Sequence, residues 1–311
     1  MSELSRYLAL APLFAALAAD PAVAQAPSSA VVDEIRLPGK DPAGNMINEI
    51  SGLAWDENKK LLYAVSDYGH LLTFRLDISG DKILSAEPVA FCDISVSVGK
   101  KRFSDAEAIA FHDSPNTVSG SASLLVVFED GPAAAAFDTD CRVQGKLSLP
   151  PDLTDPDAFQ SKNKRTESIG YSDATGLLSA PQVPLKGDAE NRHRLYSGSG
   201  SVWQYKTIGE KPSDIKDLQV QPDGSVMLLE GTDPGGISSR LGLATAEMRL
   251  RKIDLSTCAD RSDCAVTDYV PAVSAAMQDR FEGMTRVGTD LFLLATDEPS
   301  GSRLALIRVS P

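Results

Sequence analysis

Acidic side chains recur at equivalent points along this chain, beside five short segments that share one pattern. Carboxylates that cluster in space offer oxygen ligands to hard cations such as calcium, which takes about six to eight oxygens. A cation held in this way assists hydrolysis, because it activates water and stabilises developing negative charge. We therefore predict a divalent-cation site, with calcium as the first candidate, formed by Asp67, Glu107, Glu129, Glu167, Glu282 and Asp297.

Two arginines each stand two positions before a member of this acidic set. Arg165 precedes Glu167, and Arg280 precedes Glu282. A guanidinium binds phosphate or carboxylate through paired hydrogen bonds, so these arginines are the predicted anion-binding residues. Carboxylates and arginines together suit a metal-assisted hydrolase of phosphate or carboxylic esters. The alternative is that each acid pairs with a neighbouring arginine, or accepts backbone N–H groups where structural units meet, without binding a ligand.

Other signals of catalytic chemistry are few in this sequence. It contains no G-x-S-x-G segment, so the nucleophile motif of common esterases is missing. His70 and His112, two of only three histidines, fall near predicted strand ends, where either could act as a general base. A lone histidine in a loop is more often a surface residue, and no catalytic residue is assigned.

The elements that must position these side chains are predicted strands in a repeated order. Each of the five segments alternates aliphatic or aromatic residues with small or polar ones, which is typical of a β-strand. A turn and a second strand follow, such as LLYAVSD (61–67) or LFLLATD (291–297), and then a third. The five segments are SGLAW (51–55), EAIAF (107–111), ESIGY (167–171), KDLQV (216–220) and EGMTR (282–286).

Units of three or four strands that recur about every 40–50 residues are typical of β-propeller blades. The aliphatic anchors of these segments are 49 to 66 residues apart, which places the excess in loops. We predict an all-β fold, a single propeller of five or six blades, because the irregular third unit has room for a degenerate sixth. A strand at 31–37 is expected to complete the last blade. Since first strands usually line the axis, the acids and arginines would meet at one mouth of the channel.

The N-terminus has the layout of a secretory signal peptide. Arg6 precedes thirteen mainly apolar residues (7–19), and a small-residue stretch with Ala-x-Ala spacing ends at Ala24. We therefore predict a signal peptide over 1–24, a propeller domain over 25–311, and a periplasmic or secreted protein. Export makes disulfides plausible for the four cysteines, and Cys258 with Cys264 could close a local loop. Four cysteines allow three pairings, and the sequence does not choose among them.

Composition narrows the class of partner. The chain has 43 acidic and 30 basic residues in 311, a net charge of −13, and 42% hydrophobic residues. This charge argues against nucleic acid and anionic membranes, which attract basic surfaces. Beyond the signal peptide no apolar stretch reaches the roughly 20 residues that span a bilayer. We expect a monomer that binds a small anionic or ester ligand at one propeller face.

Several ordered motifs resemble an exported bacterial family named for the esterase-like activity of phytase. They include EISGLAWDENKKLLYAVSDYG, DAEAIAF, ESIGYSDATGLLSAP and RFEGMTRV, within a resemblance that runs from about residue 45 to 309. The resemblance implies a propeller and the hydrolysis of an ester or phosphoester, but no catalytic residue. The Asp-Ala-Asp-Asp-Pro-Ala-like run of calcium-dependent propeller phytases is missing, so phytate is not the expected substrate. The alternative to a hydrolase is a non-catalytic propeller of the cell envelope that binds a ligand or a protein.

Overall fold

The chain forms a five-bladed β-propeller in the computed structural model, which confirms the predicted fold class. Each blade is a four-stranded antiparallel sheet, and the first strands of neighbouring blades contact one another all the way round. The structure describes residues 26–98, 101–112, 122–131, 133–209, 213–232, 247–259, 262–269 and 281–311. The predicted signal peptide lies outside these residues.

The strands follow the chain from the axis outward in each blade. Blade 1 contains β2 (Ile50–Asp56), β3 (Leu61–Ser66), β4 (His70–Ser79) and β5 (Lys82–Asp93). A hairpin of β6 (Val96–Val98) and β7 (Lys101–Phe103) leads to blade 2. Blade 2 contains β8 (Ala106–His112), β9 (Ser123–Phe128), β10 (Ala133–Phe137) and β11 (Val143–Leu147).

The remaining blades keep the same order. Blade 3 contains β12 (Thr166–Ser172), β13 (Gly176–Pro181), β14 (Arg192–Ser197) and β15 (Val202–Lys206). Blade 4 contains β16 (Asp214–Val220), β17 (Val226–Thr232), β18 (Glu247–Asp254) and β19 (Ala265–Tyr269). Blade 5 contains β20 (Phe281–Arg286), β21 (Leu291–Thr296), β22 (Arg303–Ser310) and β1 (Ser28–Arg36). The 3-10 turns described are Pro151–Leu153, Pro156–Ala158 and Leu255–Thr257.

The ring is closed by the N-terminal strand, as the sequence predicts. β1 pairs antiparallel with β22 from Ser28–Ser310 to Arg36–Arg303, so both ends of the described chain contribute to blade 5. The irregular third unit forms a single four-stranded blade, so the propeller has five blades and not six. The alternating pattern of SVWQYKT (201–207) predicts that this segment is the third strand of the unit. In the structure the third strand is β14, and this segment forms the outer strand β15. β14 does not show the apolar alternation typical of a strand, because its sequence, RHRLYS, contains two arginines and a histidine.

The hydrophobic core is divided among the junctions between blades. Each of five buried clusters in the described part of the chain draws aliphatic and aromatic side chains from two neighbouring blades. Burial of these side chains is the main source of stability, at about 25 cal/mol per Å² of apolar surface. Two disulfides add covalent links, as the sequence led us to expect. Cys92–Cys141 joins blade 1 to blade 2, and Cys258–Cys264 closes a loop within blade 4.

Candidate functional site

A β-bulge interrupts the pairing of the first and second strands at the same point in every blade. One residue of each first strand has no partner there, so the pairing skips from Ala106 to Ala108 in blade 2, for example. A bulge redirects the extra side chain and is common beside functional sites. The five extra residues are the first residues of the repeated segments: Ser51, Glu107, Glu167, Lys216 and Glu282.

Three carboxylates converge at the mouth of the channel, where the first strands begin. Asp67 follows β3 of blade 1, Asp105 precedes β8, and Glu107 is the bulge residue of blade 2. One carboxylate oxygen from each lies within 4.8 Å of the other two. The Ser51 hydroxyl donates a hydrogen bond to Asp67 Oδ1, and the carboxyl groups of Asp105 and Glu107 share another. This cluster, named here the carboxylate triad, is formed by two neighbouring blades.

The triad carboxyl groups are held in surroundings that oppose their negative charge. Burial, reinforced by Asp297 and Glu282, raises the pKa of Asp67 to about 7. Burial and the neighbouring Asp130 raise the pKa of Asp105. Glu107 is only 8% exposed, and burial together with the surrounding acids raises its pKa well above the ordinary value. Such repulsion among like charges is relieved when a cation binds between them.

Lysines compensate the acids on the opposite side of the mouth. Lys216 Nζ lies 2.7 Å from Glu282 Oε1, so the bulge residues of blades 4 and 5 form an ion pair. Although burial opposes its charge, Glu282 and Glu167 raise the pKa of Lys216. Lys164 Nζ lies 3.3 Å from Asp214 Oδ1 at the same end of the blades. The acids of blades 4 and 5 are thus partly neutralised, whereas the carboxylate triad contains no basic side chain.

Glu167 and Glu129 lie between these two sides. Glu167 is buried, and burial raises its pKa well above the ordinary value even though Lys216 acts against the shift. Its carboxyl group shares a hydrogen bond with that of Glu129, whose pKa is also raised by burial. Arg165 is only 9% exposed and forms two hydrogen bonds to Glu129. Its backbone N–H donates to Glu129 Oε1 at 3.1 Å, and its Nη1 donates to the Glu129 carbonyl oxygen at 2.8 Å. Part of this guanidinium therefore holds blade 2 to blade 3.

The structure thus brings the six predicted metal ligands to one mouth of the propeller. Asp297 is half-buried after β21 and raises the pKa of Asp67 by charge repulsion. Of the six, Asp67 and Glu107 belong to the triad, while Glu282 is paired with a lysine. Arg280 lies outside the described residues. Asp105 is not among the six predicted ligands, although it stands two residues before Glu107, as Arg165 stands before Glu167, and this spacing was the available signal.

Below the mouth, the first strands are held together by close backbone packing and by one buried carboxylate. A Cβ on Gly52 would lie 2.8 Å from Ala108 Cα, so blades 1 and 2 approach more closely there than side chains allow. Asp217 of blade 4 is fully buried, and its Oδ2 accepts the N–H of Met284 in blade 5 at 2.7 Å. It also accepts the N–H of Leu53 in blade 1. Asp217 therefore links blades 4, 5 and 1 below the mouth.

A second buried polar group joins blades 3 and 4 away from the axis. Arg251 Nη1 lies 2.7 Å from Glu230 Oε2, and the Ser213 hydroxyl donates to the same carboxylate. His193 is fully buried beside them, its Nε2 3.2 Å from the Ser213 hydroxyl oxygen. Burial lowers the pKa of His193. Glu230 pairs here with an arginine of its own blade and accepts the N–H of Ile208 from the segment after blade 3, as in the alternative in which the acids serve structure.

The two histidines considered as general bases do not join the carboxylate triad. His70 begins β4 and packs against Phe91, with ring centroids 4.6 Å apart, and burial lowers its pKa. His112 ends β8 at the opposite face, where it packs on Tyr171 and lies 3.8 Å from Asp173. Neither position supports a role at the acidic mouth.

Comparison with known proteins agrees with this architecture. No curated protein matches the chain. The phytase-like family model, described as "Esterase-like activity of phytase", matches residues 45–298. This span runs from just before β2 to just after β21, so it includes all five bulges and every acid described above. The chain therefore belongs to the phytase-like family.

Proposed function

We propose that this propeller is an exported, metal-assisted hydrolase that acts on a phosphate or carboxylic ester at its acidic mouth. The observation that carries this proposal is the convergence of Asp67, Asp105 and Glu107, with one oxygen of each within 4.8 Å of the others. The family name, which refers to esterase-like activity, supports the reaction class. The substrate would approach these acids from solvent at the mouth, where the first strands begin.

The donor set fits a hard divalent cation. All three groups are carboxylates, and calcium and magnesium prefer oxygen ligands. The triad contributes fewer ligands than the six to eight that calcium takes, which leaves positions for water or a substrate oxygen. Asp67, Asp105 and Glu107 would hold the ion, with calcium as the first candidate. Glu129, Glu167, Glu282 and Asp297 would add negative charge around it.

A bound cation would supply Lewis acidity and lower the pKa of a coordinated water. The side chains of this protein have their own tasks in such a reaction. Ser51 fixes the orientation of Asp67 by donating a hydrogen bond to Oδ1. Lys216 limits repulsion between an anionic substrate and the acids of blades 4 and 5. Arg165 and Arg280 remain the proposed anion-binding residues, with Arg165 restricted by its bond to the Glu129 carbonyl.

Export is proposed from the N-terminal sequence and the cysteines. The layout of residues 1–24 is that of a signal peptide, and the two disulfides suit an oxidising compartment. Within the described ranges, no helix is long and apolar enough to cross a membrane. The mature protein is proposed to act as a periplasmic or secreted monomer.

Turnover of chromogenic esters tests the proposal. Protein stripped with a chelator should hydrolyse p-nitrophenyl phosphate or p-nitrophenyl acetate only after calcium, magnesium or manganese is added. Glu107→Gln should abolish this gain, while Glu57→Gln, an exposed acid far from the mouth, should retain it. Turnover that survives chelation or Glu107→Gln would contradict metal assistance. Metal-dependent stabilisation without turnover of either ester would instead identify a non-catalytic ligand-binding propeller.

A further inference from the structure

The face opposite the acidic mouth has a cavity between blades 4 and 5. Its volume is about 340 Å³, within the range of small-molecule sites. The floor is apolar, since Met227, Tyr269, Phe292 and Val309 line it and each is at most 8% exposed. Arg286, the last residue of β20, lines both this cavity and a neighbouring one beside Trp55.

Arg286 stands where the other repeated segments have an apolar residue. The fifth position is Trp55, Phe111, Tyr171 or Val220 in blades 1 to 4, and arginine only in blade 5. In blades 2 and 3 this residue stacks on a ring: Phe111 on Tyr63 and Tyr171 on His112. The arginine leaves open the space that an aromatic side chain fills elsewhere.

The guanidinium of Arg286 has no hydrogen bond or ion pair to any residue in the described part of the chain, and its Nε is buried. The acids nearby already have cationic partners. Lys252 Nζ lies 2.7 Å from Asp223 Oδ2, and Asp290 shares Arg308 with Asp81. In the neighbouring cavity, Glu57 pairs with Lys60. Arg286 is therefore a cation without a direct acidic partner among the described residues, at a cavity with an apolar floor.

We infer that this cavity binds a small monocarboxylate with an apolar body, whose carboxylate pairs with Arg286. A guanidinium and a carboxylate form charge-assisted hydrogen bonds, and the apolar body covers the aromatic and aliphatic floor. A monoanion supplies the one acidic partner that Arg286 lacks. A phosphate dianion would carry a second charge toward Asp223 and Asp290. The site is independent of the proposed hydrolase, because it lies at the other end of β20.

Calorimetric titration of hexanoate into the full-length mature protein tests this inference. Hexanoate should bind, and 1-hexanol, which has the same chain without the charge, should bind more weakly. Arg286→Gln should weaken hexanoate binding by about tenfold or more, since a hydrogen bond to a charged group contributes about 1.5–3 kcal/mol. Arg286→Lys keeps the positive charge but loses the paired N–H groups of the guanidinium. Its affinity for hexanoate should therefore lie between those of wild type and Arg286→Gln.

Arg75→Gln is the matched control, because it removes the same charge from an exposed site on blade 1 and should leave the affinity unchanged. Each variant is checked by thermal melting, and loss of the unpaired Arg286 should not lower the midpoint. Equal binding to wild type and Arg286→Gln would overturn the inference, as would equal binding of hexanoate and hexanol or no binding of either. Tighter binding of hexyl phosphate would overturn the assignment to a carboxylate.

Discussion

Lys216 Nζ lies 2.7 Å from Glu282 Oε1 and joins the bulge residues of two adjacent blades. Of the five equivalent bulge positions, three hold glutamate, one serine and one lysine. This lysine pairs with the acid of blade 5, while Lys164 pairs with Asp214 of blade 4. Asp67, Asp105 and Glu107, the three acids proposed to hold a cation, lie on the other side of the mouth.

Loss of this lysine should destabilise the metal-free protein. Lys216→Gln leaves Glu282 and the buried Glu167 without their cation, and breaking this part-buried pair should cost about 2 kcal/mol, between an exposed and a fully buried pair. Urea unfolding in the presence of a chelator should report a loss of that size. Lys216→Gln/Glu282→Gln should recover part of it, because the uncompensated charge is also removed. A loss below about 1 kcal/mol, typical of an exposed pair, would contradict this account.

Asp217 should be among the most sensitive positions for stability. Its carboxylate accepts backbone N–H groups from blades 5 and 1, and Asp217→Ala leaves those donors buried without partners. Each such loss costs about 1–3 kcal/mol, so we expect a decrease of about 3 kcal/mol or more in the free energy of unfolding. Asp223→Ala, in an exposed turn, should cost less than about 1 kcal/mol. Similar losses in the two variants would show that Asp217 does not tie the blades together.

His193 should make the protein less stable on acidification. Burial lowers its pKa in the folded state below the ordinary value of about 6.5, while Glu230 and Asp214 oppose and Arg251 reinforces the shift. The unfolded chain therefore binds more protons below about pH 6.5, and the stability contributed by neutral His193 falls there by up to about 1.4 kcal/mol per pH unit. His193→Gln keeps an amide near Ser213 but does not titrate. The difference in unfolding free energy between wild type and variant should therefore shrink from pH 7 to pH 5, and a constant difference would refute the prediction.

The sequence predicted the fold better than the details of the site. Alternation and repeated order identified the blades, because each blade buries the same pattern against its neighbours. β14 lacks the apolar pattern that marks a strand, because Arg192, His193 and Arg194 precede its apolar residues. The common face of the acids followed from strand direction. The sequence did not show which of these carboxylates converge, because that depends on the bulges and on the pairing of Lys216 with Glu282.

Asp67, Asp105 and Glu107 are proposed to bind a divalent cation in the folded protein. The most direct measurement is the thermal midpoint of wild type, Glu107→Gln and Glu282→Gln, each with a chelator and with excess calcium. Binding to the folded state alone must raise the midpoint, so calcium should stabilise wild type and Glu282→Gln but not Glu107→Gln. An unchanged midpoint for wild type, or an equal increase for Glu107→Gln, would contradict the account.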